Sequence, residues 1–357
     1  MRIVAAMSGG FDSSVAAALL AARGHDVVGL SMQLYDQRDG TQSFGSCCSL
    51  DDLHDARRVA RRIGIPHYIV NFERQFDERV VSPFVQEYAA ARTPIPCVRC
   101  NSDLKFASLL DRASGFDAAR VATGHYAQVE SRPAADGAGT GWRLRRAVDR
   151  SKDQCYFLFS LTQSQLARAS FPLGGMLKSE VRDYAREHGL TVADKPDSHE
   201  ICFVPDGDYA AFVERRLPAG PRGGAVVDGT GRMLGRHQGV HRFTVGQRKG
   251  LGVSSPAPLY VTAIDAASST VTVGPRAALE RTTLTAGGVN WIEGPPRPGR
   301  PVTAQIRHHH PPATARVWPL EGPALRLEFE APQPAIAPGQ AVVMYDGDIV
   351  LGGGWID

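Results

Sequence analysis

Over its first two hundred residues the chain alternates short apolar runs with amphipathic stretches, and this alternation constrains the fold more than any other feature. Residues 2–7 (RIVAAM) read as a buried strand, and residues 14–23 as a helix closed by Gly24. Residues 25–32 (HDVVGLSM) give a second strand. Residues 51–63 place Leu53, Ala56, Val59, Ala60 and Ile63 on one helical face, with Ser49 available as a cap. A third strand is expected over 67–70, helices over 76–91 and 101–113, and a further strand over 118–123. Strands that alternate with helices build a parallel sheet covered by helices, so the expected class is α/β, a doubly wound parallel sheet.

After about residue 205 helical periodicity fades, and Gly, Pro and short β-branched runs take over. Strands are expected over 259–264, 269–273, 301–306, 314–317, 325–329 and 341–345, a spacing suited to a small barrel or sandwich. A chain of 357 residues exceeds what one core supports. We therefore expect a catalytic domain over 1–204, a small central domain over 205–280 and a C-terminal β-barrel over 281–357. No apolar run reaches the roughly 18 residues of a membrane span, and the first residues do not resemble a secretory signal. A cytoplasmic protein is the expectation, in which six cysteines serve packing, metal binding or catalysis rather than a disulfide scaffold.

Between the first strand and the first helix lies Ser8-Gly9-Gly10-Phe11-Asp12-Ser13-Ser14. Two glycines allow close backbone approach, the helix contributes its positive end, and the serines add hydroxyls, which together suit a phosphate. Asp12 fits beside phosphate only if it orients a loop amide or ligates Mg²⁺. The spaced glycine and Lys-Ser/Thr pair of a Walker loop are missing. The segment resembles instead the PP-loop of the N-type ATP pyrophosphatases, which transfer AMP to a substrate oxygen.

Further motifs narrow the resemblance. They are residues 93–101 (TPIPCVRCN), Gly124-His125-Tyr126, Lys152-Asp153-Gln154, residues 196–203 (PDSHEICF), residues 246–252 (GQRKGLG) and Pro338-Gly339-Gln340. In this order they resemble the bacterial tRNA 2-thiouridylase family along essentially the whole chain. The resemblance implies an enzyme that adenylates the C2 oxygen of the wobble uridine of tRNA with ATP and Mg²⁺, then replaces it with sulfur. It implies Cys202 as persulfide carrier and Cys100 as its partner, which would leave a disulfide behind. A cysteine desulfurase or sulfur-relay protein is the implied donor. ATP contacts are implied for Ala6, Met7, Ser8, Gly9, Gly10, Phe11, Asp12, Ser13, Met32 and Gly124, and tRNA contacts for His125, Lys152, Asp153, Gln154, Arg307, His308 and Gln340.

The chain departs from the family at Ile95-Pro96-Cys97, where Asn-Pro-Asp is commoner and the aspartate is the proposed acid/base group. Three readings of Cys97 stay open: a proton-transfer thiol, a small residue in a tight turn, or one of three ligands, with Cys100 and Cys202, to a [4Fe–4S] cluster. Cys155, in an apolar run, reads as a packing residue, and Cys47-Cys48 have no assigned role. The triplet His308-His309-His310, taken as lying on a strand, cannot converge on one metal. Two other functions compete: a different ATP pyrophosphatase with no need of Cys100 and Cys202, and a tRNA-binding protein without catalysis.

Overall fold

In a computed structural model the described residues are 1–34, 50–133, 139–192, 195 and 201–357. Cys47, Cys48 and the 196–200 part of the second cysteine motif lie outside them. The chain divides into two compact units. One comprises Met1–Val80, Cys97–Gly207 and Asp348–Val350; the other comprises Val81–Pro96, Asp208–Gly347 and Leu351–Asp357.

The first unit is built on a parallel sheet. Its strands are β1 (Arg2–Ala6), β2 (Asp26–Gln33), β3 (His67–Asn71), β4 (Arg120–Ala122) and β7 (Ala169–Ser170), in the order β3-β2-β1-β4-β7. Ile3, Val4 and Ala5 of β1 are all buried, the near-continuous apolar run of a strand covered on both faces. The order reverses at β1: β2 pairs with one side of it and β4 with the other, both parallel. Ligands bind beyond the carboxyl ends of strands at such a switch point. Helix α1 (Phe11–Ala22) shares a core with α2 (Leu50–Ile63) and α8 (Lys178–Glu187), in which Val15, Ala16, Val59, Ala60, Val181 and Ala185 are buried. A hairpin of β5 (Ala127–Pro133) and β6 (Thr140–Arg146) follows β4 and pairs in register from Ala127↔Arg146 to Pro133↔Thr140.

Two expected helices are subdivided. The stretch expected over 76–91 runs as α3 (Glu73–Phe76), a π-helical turn Asp77–Val81 and α4 (Ser82–Ala89), where Pro83 near the start of α4 marks the change. The stretch expected over 101–113 runs as α5 (Pro96–Arg99), a π-helix Cys100–Ser108 and α6 (Leu109–Ser114). A π-helix widens the turn and is frequent at functional sites. Here it begins at Cys100.

The second unit holds two sheets. The smaller has the order β10-β11-β8-β9, from β8 (Gly224–Asp228), β9 (Met233–His237), β10 (Tyr260–Asp265) and β11 (Thr270–Gly274), over a core of Val226, Phe243, Leu251, Val261, Val271 and Val273. The larger is a six-strand barrel, β12 (Glu280–Trp291), β15 (Ala324–Pro334), β14 (Ala313–Pro319), β13 (Arg300–Gln305), β16 (Ala341–Asp346) and β17 (Ile349–Ile356), closed by pairing of β12 with β17. Closure removes the exposed edges that invite strand addition. Helix α4 packs near α9 (Tyr209–Glu214), with Tyr88 stacked on Tyr209 at 4.7 Å between ring centroids. Among the described residues no helix is long and apolar enough to cross a membrane.

Candidate active site

The loop after β1 holds its shape through its own hydroxyls. Ser13 Oγ accepts from the Ser8 N–H at 3.1 Å and donates to the Gly10 carbonyl at 3.1 Å, and Ser14 Oγ donates to the same carbonyl at 2.9 Å. Gly9 adopts φ 73°, and a β-carbon there would run into the backbone carbonyl of Asp52 at the start of α2, so only glycine fits. The 12-residue α1 opens with no side-chain cap, which leaves its first backbone N–H groups unclaimed by its own N-cap residue.

Gly124 follows β4, beside the loop. A β-carbon on it would lie 2.6 Å from Ser13 N and 2.7 Å from the Asp12 carbonyl carbon. The reason for glycine here is therefore backbone packing against the first turn of α1. Of the other residues implied for ATP, Met7, Phe11 and Met32 are buried and Ala6 is partly exposed. The Met7 carbonyl accepts from Ser31 Oγ at 2.6 Å.

Asp12 is held by Lys178, which no motif marks, and by Tyr126, whose motif gives no sign of this role. Lys178 Nζ donates to both carboxylate oxygens, at 2.7 and 2.9 Å, and Tyr126 Oη donates to Oδ1 at 2.8 Å. The Lys178 ammonium also sits 4.8 Å from the Phe11 ring centroid and 5.5 Å from that of Tyr126. Lys195 supports the loop from its other side: its ammonium donates to the Gly9 carbonyl at 3.1 Å, to Asp55 at 2.9 Å and to Asp52. Burial pulls the Lys195 pKa down, but its hydrogen bonds to Asp52 and Asp55 carry it above its ordinary value. These lysines had no sequence signal because 166 and 186 residues separate them from Asp12 and Gly9.

Around β4 the other implied residues gather. His125 Nδ1 bonds Thr123 Oγ1 at 2.7 Å, and its ring lies 6.4 Å from Phe106 and 6.1 Å from Phe171. Burial, with Lys105 nearby, pushes its pKa well below the usual histidine value, so the ring is neutral at pH 7. Gln154 exchanges two hydrogen bonds with the Tyr126 backbone: its N–H donates to Tyr126 O at 2.9 Å and its Oε1 accepts from Tyr126 N at 3.0 Å. Asp153 accepts from Ala147 N at 2.9 Å, while Lys152 stays partly exposed. In this triplet Asp153 and Gln154 hold the segment's shape, and Lys152 faces solvent in part.

The cysteine-bearing helix joins the same region. Buried Asn101 donates to Phe157 O at 3.1 Å, and Gln165 Nε2 donates to Ser102 O at 2.9 Å. Cys97 is exposed, Cys100 buried and Cys202 half-buried. Phe203, next to Cys202, packs edge-to-face on Phe76 at 5.6 Å. Among the described residues no three His, Cys, Asp or Glu side chains are grouped to hold a metal ion. The donor set Cys97, Cys100 and Cys202 is thus not assembled for a cluster in this arrangement. Cys155 is fully buried and its S–H donates to the Arg145 carbonyl at 3.0 Å; burial, then Asp153, pushes its pKa far up, as befits a packing thiol.

In the second unit, Pro338-Gly339-Gln340 grips residue 93. Thr93 N donates to Pro338 O at 2.7 Å and Gln340 Nε2 to Thr93 O at 3.1 Å. Arg307 through His310 lie in a turn beyond β13, which ends at Gln305, so the expectation of a strand there is corrected. His309 has φ 63°, and the rings of His308 and His309 sit 3.7 Å apart. Burial, with His309 second, lowers the His308 pKa to about 4.

Comparison with known proteins places these features. The family described as "tRNA methyl transferase HUP domain" matches residues 1–206, "tRNA methyl transferase PRC-barrel domain" residues 210–275, and "Aminomethyltransferase beta-barrel domain" residues 281–356. A tRNA-specific 2-thiouridylase MnmA of Geotalea uraniireducens (strain Rf4) is 52% identical, covering 100% of this chain and 95% of the relative. Those of Geobacter metallireducens and Solibacter usitatus are 51% and 53% identical, covering 100% and 99% of this chain and 96% and 99% of the relatives. Alike over its whole length, from phosphate loop to closed barrel, the chain belongs to the tRNA-specific 2-thiouridylase family.

Proposed function

We propose that this protein is a tRNA-uridine 2-sulfurtransferase that binds ATP at the loop of residues 8–14 and acts in the cytoplasm on the wobble uridine of tRNA. The observation that carries the reading is the convergence on β1 and β4: the phosphate loop, Gly124, His125 and residues 152–154 meet around two adjacent strands at the switch point of the sheet. The helix of Cys100 is tied to the turn that follows residue 154.

The uracil C2 oxygen attacks the α-phosphate of ATP, pyrophosphate leaves, and the oxygen becomes part of a good leaving group. Loop amides and the end of α1 take up negative charge on the phosphates, and Lys178 neutralises Asp12 beside them. Cys202 carries sulfur as a persulfide supplied by a cysteine desulfurase or relay protein. Cys100 thiolate attacks the Cys202 sulfur, the two form a disulfide, and the outer sulfur leaves as hydrosulfide. Hydrosulfide adds at C2 and expels AMP, giving 2-thiouridine. A thiol reductant then returns both cysteines to thiols. The two electrons that reduce the persulfide sulfur come from this pair.

Magnesium enters as the counter-ion of ATP. Asp12 takes Lys178 on both oxygens, so we assign it no ligand role toward Mg²⁺, and no step above is routed through a [4Fe–4S] cluster on Cys97, Cys100 and Cys202. Cys97 reads as a small exposed residue beside the site. Lys152, His125, Arg307, His308 and Gln340 are proposed on the tRNA side. Three modules, over 1–204, 205–280 and 281–357, divide the labour into nucleotide chemistry, a central domain and RNA contact.

The test is in vitro thiolation. Wobble-uridine tRNA transcript, ATP and a persulfide donor should yield AMP and 2-thiouridine by chromatography and mass spectrometry. Release of no AMP and formation of no thiolated base ends the reading. Turnover undiminished in Cys202→Ser would favour a different ATP pyrophosphatase.

A further inference from the structure

Two separate routes link residues 149–154 to the carboxylate of Asp12. On the first, Asp149 Oδ2 accepts from the Lys178 backbone N–H at 3.0 Å, and the Lys178 side chain reaches both Asp12 oxygens. On the second, Gln154 locks the Tyr126 backbone through two hydrogen bonds, and Tyr126 Oη reaches Asp12 Oδ1. Each route is one side chain long, and both carriers are buried, Tyr126 at 2% and Lys178 at 9% exposure. Between these ends the segment is stiffened by Asp149, whose Oδ1 accepts from Ser151 N and Ser151 Oγ, and by Asp153 on Ala147 N.

We propose that Tyr126 and Lys178 are positioning residues that couple RNA engagement at residues 149–154 to Asp12, and so to nucleotide binding in the phosphate loop. The inference rests on the functional reading above, which puts RNA at one end of the linkage and ATP at the other. A shift of the 149–154 segment of a few tenths of an ångström cannot be absorbed by packed side chains and must move the Tyr126 hydroxyl or the Lys178 ammonium. Asp12 has three hydrogen bonds from these two groups, so its orientation follows theirs. The enzyme would thereby bind ATP more tightly when its RNA is in place, which limits idle cleavage of nucleotide. By linkage the nucleotide must tighten RNA binding by the same factor.

The experiment measures the dissociation constant of α,β-methylene-ATP, which cannot be split at the reacting bond, with and without saturating tRNA transcript. The proteins are full-length wild type, Tyr126→Phe, Lys178→Met and Lys178→Arg. RNA is expected to tighten the analogue about five-fold or more in wild type, within the usual range of coupling between sites. Tyr126→Phe and Lys178→Met should shrink that ratio below about two-fold, while Lys178→Arg, which keeps the charge, recovers part of it. A residue that merely holds the fold would change affinities or melting temperature and leave the ratio alone. Tyr126→Phe removes a single hydroxyl, so it carries the test if Lys178→Met does not fold. A wild-type ratio near one with both ligands bound overturns the coupling, as does a wild-type ratio in Tyr126→Phe. Failure of wild type to bind the analogue or the RNA overturns the functional reading itself.

Discussion

The side-chain amide of Gln340 donates to the backbone carbonyl of Thr93 at 3.1 Å, across 247 residues of sequence. The same turn takes the Thr93 N–H on Pro338 O, and Gln340 itself accepts from Ile356 N at 2.8 Å. The motif therefore holds the chain four residues before Cys97. Gln340→Ala leaves a carbonyl unpaired and should lower stability by about 0.5–1.5 kcal/mol in urea titration. A direct RNA contact and no clamp would instead weaken tRNA binding at unchanged stability.

Asp12→Ala removes the carboxylate that pairs with the Lys178 ammonium, a residue nine-tenths buried. Complete burial of both partners would make the loss about 3–5 kcal/mol. The Asp12 side chain is about a third exposed, so water moderates it and we expect roughly 1–3 kcal/mol. ATP cleavage should fall to background in the same variant, while tRNA still binds. A variant that keeps wild-type AMP release would show that Asp12 plays no part in holding the nucleotide.

At Gly124 a single methyl group separates two accounts of the glycine. Gly124→Ala places a β-carbon 2.6 Å from Ser13 N, and the obstacle is backbone, so the first turn of α1 must shift. The expected cost is about 1–3 kcal/mol of stability. Nucleotide affinity should fall together with it. Loss of ATP binding at full stability would mean instead that the glycine leaves room only for the ligand.

Cys202→Ala and Cys100→Ala should each reduce thiolation to background in single-turnover assays with persulfide donor, while binding of ATP and tRNA persists. Cys155→Ala should leave thiolation intact and cost stability, because this thiol is fully buried and bonded to a carbonyl. Cys155→Ala that abolished chemistry at full stability would reassign the sulfur carrier.

His125 gives a pH dependence of defined sign. Its folded pKa is pushed down by burial and by Lys105, whereas the unfolded value is about 6.5. Between the two values the unfolded chain binds more protons, so this group makes stability rise with pH. Stability is highest above about pH 6.5 and falls as the pH drops through the window below it. His67, lowered by burial and by Arg57, acts in the same direction. Melting temperatures between pH 7.5 and about 5 should decline, and His125→Asn should flatten the decline. An identical slope in the variant would show that His125 titrates normally.

Much of this fold was legible because its signals are local. Apolar runs and helical faces located β1, β2, β3, α2 and most barrel strands to within a residue or a few. The sequence pattern places the start of α1 at residue 14, three residues after its actual start at Phe11, because a loop of Gly, Phe and Asp offers no side-chain cap to mark it. Strands β12 and β17 carry weak strand signals for opposite reasons: the first has polar residues at many positions, and the second contains Gly352-Gly353-Gly354, which strand propensity disfavours. The π-helix at Cys100 was hidden too, since its composition is that of any helix. In the site, the loop and the cysteines stood out by residue type. Lys178, Tyr126 as an Asp12 partner, and Lys195 did not, for their roles exist only once distant segments meet.

The hydroxyl of Ser13, tied to the Ser8 N–H and the Gly10 carbonyl, sets the curvature of the loop from within. A nucleotide then meets a mould already cast. Little ordering entropy is left to lose on arrival, so capture should proceed in one fast kinetic phase, and selectivity must come from the base and the RNA rather than from the triphosphate.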